Sequence, residues 1–268
     1  MTPSTPPRPP LDTDALRGLA GGRVRYDVTV VEATPSTNAL AAEMAHSGAG
    51  EGTVVVAEHQ TAGRGRLDRV WETPARTAIT VSVVFRPEVP PARWPWLPLL
   101  VGVAVARTLR EASVPAQLKW PNDVLVHGRK IAGILVELVH TPTGPAAIAG
   151  VGLNVAMTAD EVPLSSATSL LLESVEVDRT GLLSTLLQVL GATYTGWLAD
   201  PARLRDAYLD LCITVPDRPV RADLPNGTAI TGSARTVDES GGLVVATDDG
   251  DVTVNAGDVV HLRPLAEG

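Results

Sequence analysis

The chain has 268 residues, a mass of 28.0 kDa and a formal net charge of −8, with a pI near 5.1. That acidity argues against a general nucleic-acid or anionic-membrane surface, because the field of the whole molecule repels polyanions. One cysteine, Cys212, rules out an internal disulfide and any Cys/His metal spacing, and no apolar run approaches the ~18 residues of a membrane span.

The N-terminal MTPSTPPRPP lacks the apolar core of a signal peptide and reads as a disordered proline-rich tail, so a cytoplasmic protein is expected. Residues 11–19 suit a short helix closed by Gly21-Gly22, and 24–31 a strand with Val24, Tyr26, Val28 and Val30 on one side. Pro35-Ser36-Thr37-Asn38 then precedes an alanine-rich helix that Gly48 ends, which makes Ser36 or Thr37 its N-cap. Capping accounts for one hydroxyl. Three polar residues in a row at a helix start also offer hydroxyls and N–H groups to a ligand.

The buried strand 54–57 runs through Glu58, His59 and Gln60 into the loop AGRGRLDRVW. Gly63 and Gly65 free the backbone, and Arg64, Arg66 and Arg69 supply forked cations suited to a small anion. Neither a Walker P-loop nor a dinucleotide GxGxxG is present. A strand over 77–85 follows, then a helix from near Pro98 with Leu99, Val103, Ala106 and Leu109 at helical spacing; Trp94 and Trp96 read as packing anchors.

Pro121 ends an extended Lys119-Trp120, Asn122-Asp123 suits a bend, 124–126 is a short β-branched run, and His127-Gly128 reverses the chain. Residues 131–138 read as a strand covered on both faces, with Gly133 marking a close approach. Lys119, Lys130, Asn122, Asp123 and Gly133 would thus gather at one end of a hairpin. GVGLN continues another strand, where Asn154 is either a strand-end turn or a placed hydrogen-bonding group. Helices over 178–197 and 201–211 complete an α+β unit with a mixed sheet covered by helices. After Cys212, short segments punctuated by Pro, Asn-Gly and Asp-Gly indicate a small β-barrel. Residues 213–268 carry nine acids against four arginines and no lysine, the reverse of a nucleic-acid-binding barrel.

Four separated elements share one order: PSTN, Q-x-x-GRGR…W, KWPND followed by K-x-x-GILVE, and GVGLN. From about residue 25 to the C-terminus this set resembles the biotin protein ligases. The resemblance implies a class II aminoacyl-tRNA-synthetase-like catalytic domain followed by an SH3-like barrel. The chain would divide into a tail and lead-in over 1–20, a catalytic domain over 21–212 and the barrel over 213–268. It implies adenylation of biotin by ATP to biotinyl-5′-AMP, with Mg²⁺ bridging phosphates and no protein metal site. Biotin would then pass to a lysine of a carboxyl carrier domain of acyl-CoA or acetyl-CoA carboxylases.

By the same resemblance, Ser36, Thr37, Asn38, Gln60, Gly63 and Gly133 would serve biotin, with Arg64, Gly65 and Arg66 on a loop closing over it. Trp71, Asn122 and Asn154 would serve the nucleotide together with Arg66 and Lys130, and Lys130, Arg64 and Arg66 would be the catalytic cations. Asp123 is the candidate base for the carrier amine. The family's GRGRRG is altered here, where Leu67-Asp68 replace an arginine and a glycine. With PSTN starting at Pro35 behind the tail, no helix-turn-helix domain is expected, hence no DNA partner and no membrane, in a monomer or weak dimer. The competing expectations are a lipoate- or octanoate-handling enzyme, which shares the fold, and a non-catalytic biotin sensor.

Overall fold

In the computed structural model, which describes residues 8–264, the β-branched runs pair into a seven-stranded mixed sheet. A ribbon of β1 (Ala20–Gly21) and β2 (Val24–Arg25) leads into β3 (Asp27–Thr34). The single strand expected over 24–31 is therefore split by a change of partner: Tyr26 N still donates to Leu19 O beside the β1–β2 ribbon, whereas Asp27 N donates to Gly52 O and β3 pairs with β4 from there on. Its alternation survives, with Val24 and Tyr26 buried around an exposed Arg25.

β4 (Thr53–Gln60) pairs parallel to β3, and β5 (Ala78–Phe85) antiparallel to β4. The sheet continues through β6 (Ala116–Lys119), β7 (Asp123–Val126), β8 (Arg129–Thr141) and β9 (Gly144–Asn154), in the order β3-β4-β5-β9-β8-β7-β6. Alternation assigns β4 residues to opposite faces. Val55 packs with Ala41 and Ala45 of α1 (Thr37–His46), while Val54 and Val56 join the main core on the other face. There α2 (Leu97–Glu111), α3 (Arg179–Ala199) and α4 (Pro201–Leu211) cover the sheet. Asp178 caps α3, accepting from Thr180 N and Gly181 N.

Other local expectations fail as well. Residues 11–19 form turns, not a helix: Asp12 Oδ1 accepts from Asp14 N and Ala15 N as a helix N-cap would, but the turn that follows, closed by Arg17 N donating to Asp14 O, ends at Gly18 with a left-handed φ of 67°. Leu11 and Leu16 are nonetheless buried in the main core. β8 is covered on both faces only near Ile131–Ile134; its outer half emerges from the helices, leaving Leu138 57% exposed. The disordered tail is also corrected for residues 8–10, which pack on the domain through Arg8 and Pro9; residues 1–7 lie outside the described residues.

The C-terminal strands β10 (Arg218–Asp223), β11 (Ala229–Val237), β12 (Leu243–Thr247), β13 (Gly250–Val254) and β14 (His261–Pro264) form an antiparallel sheet ordered β13-β12-β11-β10-β14. It docks on the first unit through indole donors. Trp96 Nε1 donates to Glu239 O (2.8 Å) and Trp120 Nε1 to Gly241 O (3.2 Å).

Candidate active site

The start of α1 builds one wall. Ser36 is the N-cap, and Thr37 N and Oγ1 both donate to Gln60 Oε1 at 2.8 and 2.9 Å, orienting that carboxamide at the end of β4. Asn38 Nδ2 donates to Leu135 O (3.2 Å) and Glu137 Oε2 (2.7 Å) on β8. Ser82 Oγ, from the middle of β5, lies 2.8 Å from Thr37 Oγ1 and 2.6 Å from Asn38 Oδ1 and bridges the two. Gly150 leaves room for this: a Cβ there would meet Asn38 Oδ1 at 2.3 Å.

The loop after β4 is a narrow hairpin. Trp71 N donates to Gly63 O (2.9 Å) and Gly65 N to Arg69 O (2.6 Å), while Arg64 and Val70 form a β-bridge. Gly63 is required, since its Cβ would lie 2.3 Å from Trp71 O. The hairpin returns the Trp71 indole to the sheet, where it lies on two glycines: a Cβ on Gly152 would be 2.4 Å from the ring and one on Gly133 3.0 Å. Lys130 Nζ stands 5.6 Å from the ring centroid, within cation–π range. Trp71 Nε1 is buried with no hydrogen-bond partner among the described residues.

The loop arginines are engaged. Arg64 pairs with Glu137 (3.1 Å). Arg66 Nη1 donates to Asn122 Oδ1 (3.2 Å), and its Nη2 to the barrel carbonyls of Ala256 and Val259. Arg69 Nη2 donates to Val260 O (2.6 Å). Burial lowers the Arg66 pKa; the nearby Asp123 charge opposes this and Arg69 adds to it.

Lys130 Nζ pairs with Asp123 Oδ1 at 2.5 Å across β7 and β8, where a register shift between Val124 and Leu125 sets their alignment. Asn122 is held by two bonds to Ile134, donating from Nδ2 to Ile134 O and accepting from Ile134 N, each 3.0 Å. The chain beyond β9 folds back as a further wall: Lys130 N donates to Ser166 O (2.7 Å) and Thr168 N to Lys130 O (2.8 Å). Asn154, 3% exposed, donates from Nδ2 to Thr168 O (2.9 Å); its Oδ1 has no partner among the described residues.

These walls enclose a cavity of about 370 Å³. Every residue assigned from the sequence lines it except Gly63, which acts behind Trp71; Asp123 lines it as well, and Lys119 does not. Sequence reading missed Ser82 and Glu137, the polar links between walls, together with the lining segment Pro163–Ala167 and Glu72. Glu137 stood inside the K-x-x-GILVE motif, and that was its one signal. Ser82 merely alternates along a strand.

The Biotin/lipoate A/B protein ligase family matches residues 30–154, and the Biotin protein ligase C terminal domain matches 217–262. A biotin–[acetyl-CoA-carboxylase] ligase of Mycobacterium tuberculosis is 42% identical over 264 residues, covering 96% of this chain and 97% of the relative. The chain belongs to the biotin protein ligase family. A bifunctional ligase/repressor of Bacillus subtilis is 34% identical over 84% of this chain and 70% of its own length. The biotin protein ligase of Aquifex aeolicus, solved in complex with biotin and ATP, superposes with a TM-score of 0.76 at 27% identity, covering 89% of this chain and 99% of that one. The architecture is accordingly the biotin-ligase one, a class II aminoacyl-tRNA-synthetase-like domain with an SH3-like C-terminal unit. Against that family's loop motif, Leu67 takes a left-handed φ of 54° and lies half-exposed on the cavity rim.

Proposed function

We propose that this pocket adenylates biotin with ATP, releasing pyrophosphate, and then passes the biotinyl group to a lysine of a biotin carboxyl carrier domain of an acyl-CoA or acetyl-CoA carboxylase. One observation carries the reading: an uncharged hydrogen-bonding wall and a set of cations face a single cavity. A ureido ring asks for neutral donors and acceptors, which Ser36, Thr37, Asn38 and Gln60 supply, with Gly133 clearing the floor. A carboxylate and an α-phosphate ask for cations, which Lys130, Arg64 and Arg66 supply.

In the first half-reaction a carboxylate oxygen of biotin attacks the α-phosphorus and the bond to pyrophosphate breaks. Charge gathers on the phosphoryl oxygens, where Lys130 and Arg66 stabilise it in a partly dehydrated pocket. Alignment of the two substrates supplies much of the remaining acceleration. In the second, the carrier amine attacks the carbonyl carbon of the mixed anhydride, AMP leaves, and the amine proton goes to a base. Asp123, beside Lys130 on the pocket wall, is our assignment for it. On the nucleotide side, the unpartnered Asn154 Oδ1 suits an exocyclic amino group, Trp71 offers a stacking face, and Asn122 and Arg66 complete the contacts.

No three His, Cys, Asp or Glu side chains converge as a metal cage among the described residues. A magnesium ion would therefore come with the ATP phosphates and its own waters, with Asp123 and Glu72 as the pocket-lining carboxylates in reach. It would neutralise phosphate charge. No helix among the described residues is long and apolar enough to cross a membrane. We place the enzyme in the cytoplasm, as a monomer or weak dimer that engages carrier domains and not DNA, with catalysis in 21–212 and the barrel in 213–268.

The decisive experiment is acid-dependent ATP–pyrophosphate exchange with biotin and lipoate side by side. Exchange with biotin alone is expected. Exchange with lipoate alone would overturn the substrate assignment, and biotin binding without exchange would replace the enzyme by a sensor.

A further inference from the structure

Arg8, at the start of an N-terminal arm over residues 8–12, lies against the base of the wall that carries residues 163–167. Arg8 Nη1 and Nη2 donate to Glu161 Oε1 (2.9 Å) and Oε2 (2.5 Å), a two-pronged pair, and Nη2 also donates to Ala156 O (2.9 Å). Glu161 Oε2 accepts in addition from Thr158 N (2.9 Å) and Thr158 Oγ1 (3.1 Å). One carboxylate thus closes the 158–161 turn and receives the N-terminal arm. The Arg8 hydrogen bond is the leading cause that holds the Glu161 pKa below the usual carboxylate value, despite some burial.

The arm is itself pinned. Pro9 O accepts from Arg179 Nη2 (2.9 Å), Leu11 N donates to Glu58 Oε1 (2.6 Å), and Asp12 N donates to Thr180 Oγ1 (3.1 Å). Past Glu161 the chain enters the cavity wall at Pro163 and leaves it at Ala167, where Ser166 O and Thr168 N grip the Lys130 backbone. That far end is tied to β8. On the near leg, Met157 O accepts from Ser169 Oγ, but beyond Met157 the hydrogen bonds that reach outside residues 158–162, among the described residues, come from Arg8.

We infer that Arg8 is a positioning residue: through Glu161 it fixes the wall 163–167 against the nucleotide half of the pocket. This rests on reading the Asn154–Lys130 side as that half. Arg8 does not line the cavity, so its loss loosens the wall and weakens ATP capture while the chemical step and the biotin wall, built on α1, β4 and β5, stand unchanged. Glu161 keeps its local bonds to Thr158, so the turn persists without its tether.

The test is biotin-dependent ATP–pyrophosphate exchange on the full chain, with both KM values and kcat determined. Arg8→Ala should raise the KM for ATP roughly five- to tenfold, leaving the KM for biotin and kcat within about twofold. Arg8→Lys, which keeps the charge but loses the fork, should fall between. Arg8→Ala combined with Glu161→Gln should be no worse than Arg8→Ala alone, because the contact Glu161 makes with the arm is already lost with Arg8. An unchanged KM for ATP in Arg8→Ala would overturn the inference. So would a parallel rise in both KM values with a lowered Tm, which marks general destabilisation. Absence of exchange in the unsubstituted chain would overturn the underlying functional reading, and this inference with it.

Discussion

Lys130 meets the pocket already paired, its ammonium on Asp123 and above the Trp71 face. A cation held this way needs no reorganisation when phosphoryl charge develops, and removing it costs mostly in the transition state. Lys130→Ala should lower kcat for pyrophosphate exchange by about 10²–10³-fold, with the thermal unfolding transition little changed. An exchange rate within a few fold of the parent would reject the electrostatic role. At this scale much of the candidate site was legible, because hydroxyls, arginines and glycines mark ligand sites by type: Thr37, Arg66 and Gly133 all reach the cavity, as does Gln60, which only the family resemblance had singled out. Ser82 was not legible, since its role exists only when β5 is laid beside the start of α1, over forty residues away in the chain.

Two elements depend on buried charge. Glu58 on β4 and Arg179 at the start of α3 pair at 2.6 Å with side chains 3% and 7% exposed, and Glu58 also accepts from Leu11 N. Breaking the pair strands a charge in the interior. Glu58→Gln should therefore destabilise by about 3–5 kcal/mol in urea unfolding, while Glu58→Leu combined with Arg179→Met should cost less than either single change. The sequence offered Glu58 only as the run-up to the arginine loop. Its partner is 121 residues on, and no local pattern announces such a contact.

A second acid, Glu173, clamps the start of β8 to the returning wall. It accepts from Thr168 Oγ1 (2.6 Å), His127 Nδ1 (2.9 Å) and Arg129 Nη2 (2.7 Å). Burial raises its pKa, but the Thr168 and His127 hydrogen bonds and the Arg129 charge outweigh this, and the net shift is downward. A lowered folded pKa gives stability that is complete above the unfolded value of about 4.3 and lost as pH falls through the folded value. The stability gap between the parent and Glu173→Gln should thus be widest near neutrality and shrink below about pH 4. A gap that stayed constant down to pH 3 in denaturant titrations would contradict this.

Across the whole molecule, the barrel is joined to the arginine loop that follows β4 as well as to the core. Arg66 and Arg69 hold main-chain carbonyls of Ala256, Val259 and Val260, and Trp96 and Trp120 hold those of Glu239 and Gly241. Carbonyls are present whatever the side chain. Asp258→Asn should accordingly leave exchange activity unchanged, whereas one residue inserted between Ala256 and Val260 should raise the KM for both substrates although the sheet still folds. Equal KM values in the inserted variant would show the loop to be independent of the barrel. Barrel and catalytic unit were each legible from turn spacing and hydrophobic pattern. Their docking was not, because backbone acceptors leave no trace in sequence.

The placement of the two lysines, Lys119 at the end of β6 and Lys130 on β8, has a consequence for chemical self-restraint. These are the only two lysines in the chain; its remaining Lys and Arg positions are all arginine. A mixed anhydride of biotin and AMP acylates amines, and a guanidinium, which stays protonated, is a poor target. An enzyme that manufactures such a reagent here presents it with an exterior almost free of lysine amines, and one of its two lysines is locked on Asp123. Any reagent that escapes meets little on the ligase to consume it, and the lysine of the incoming carrier competes with almost nothing.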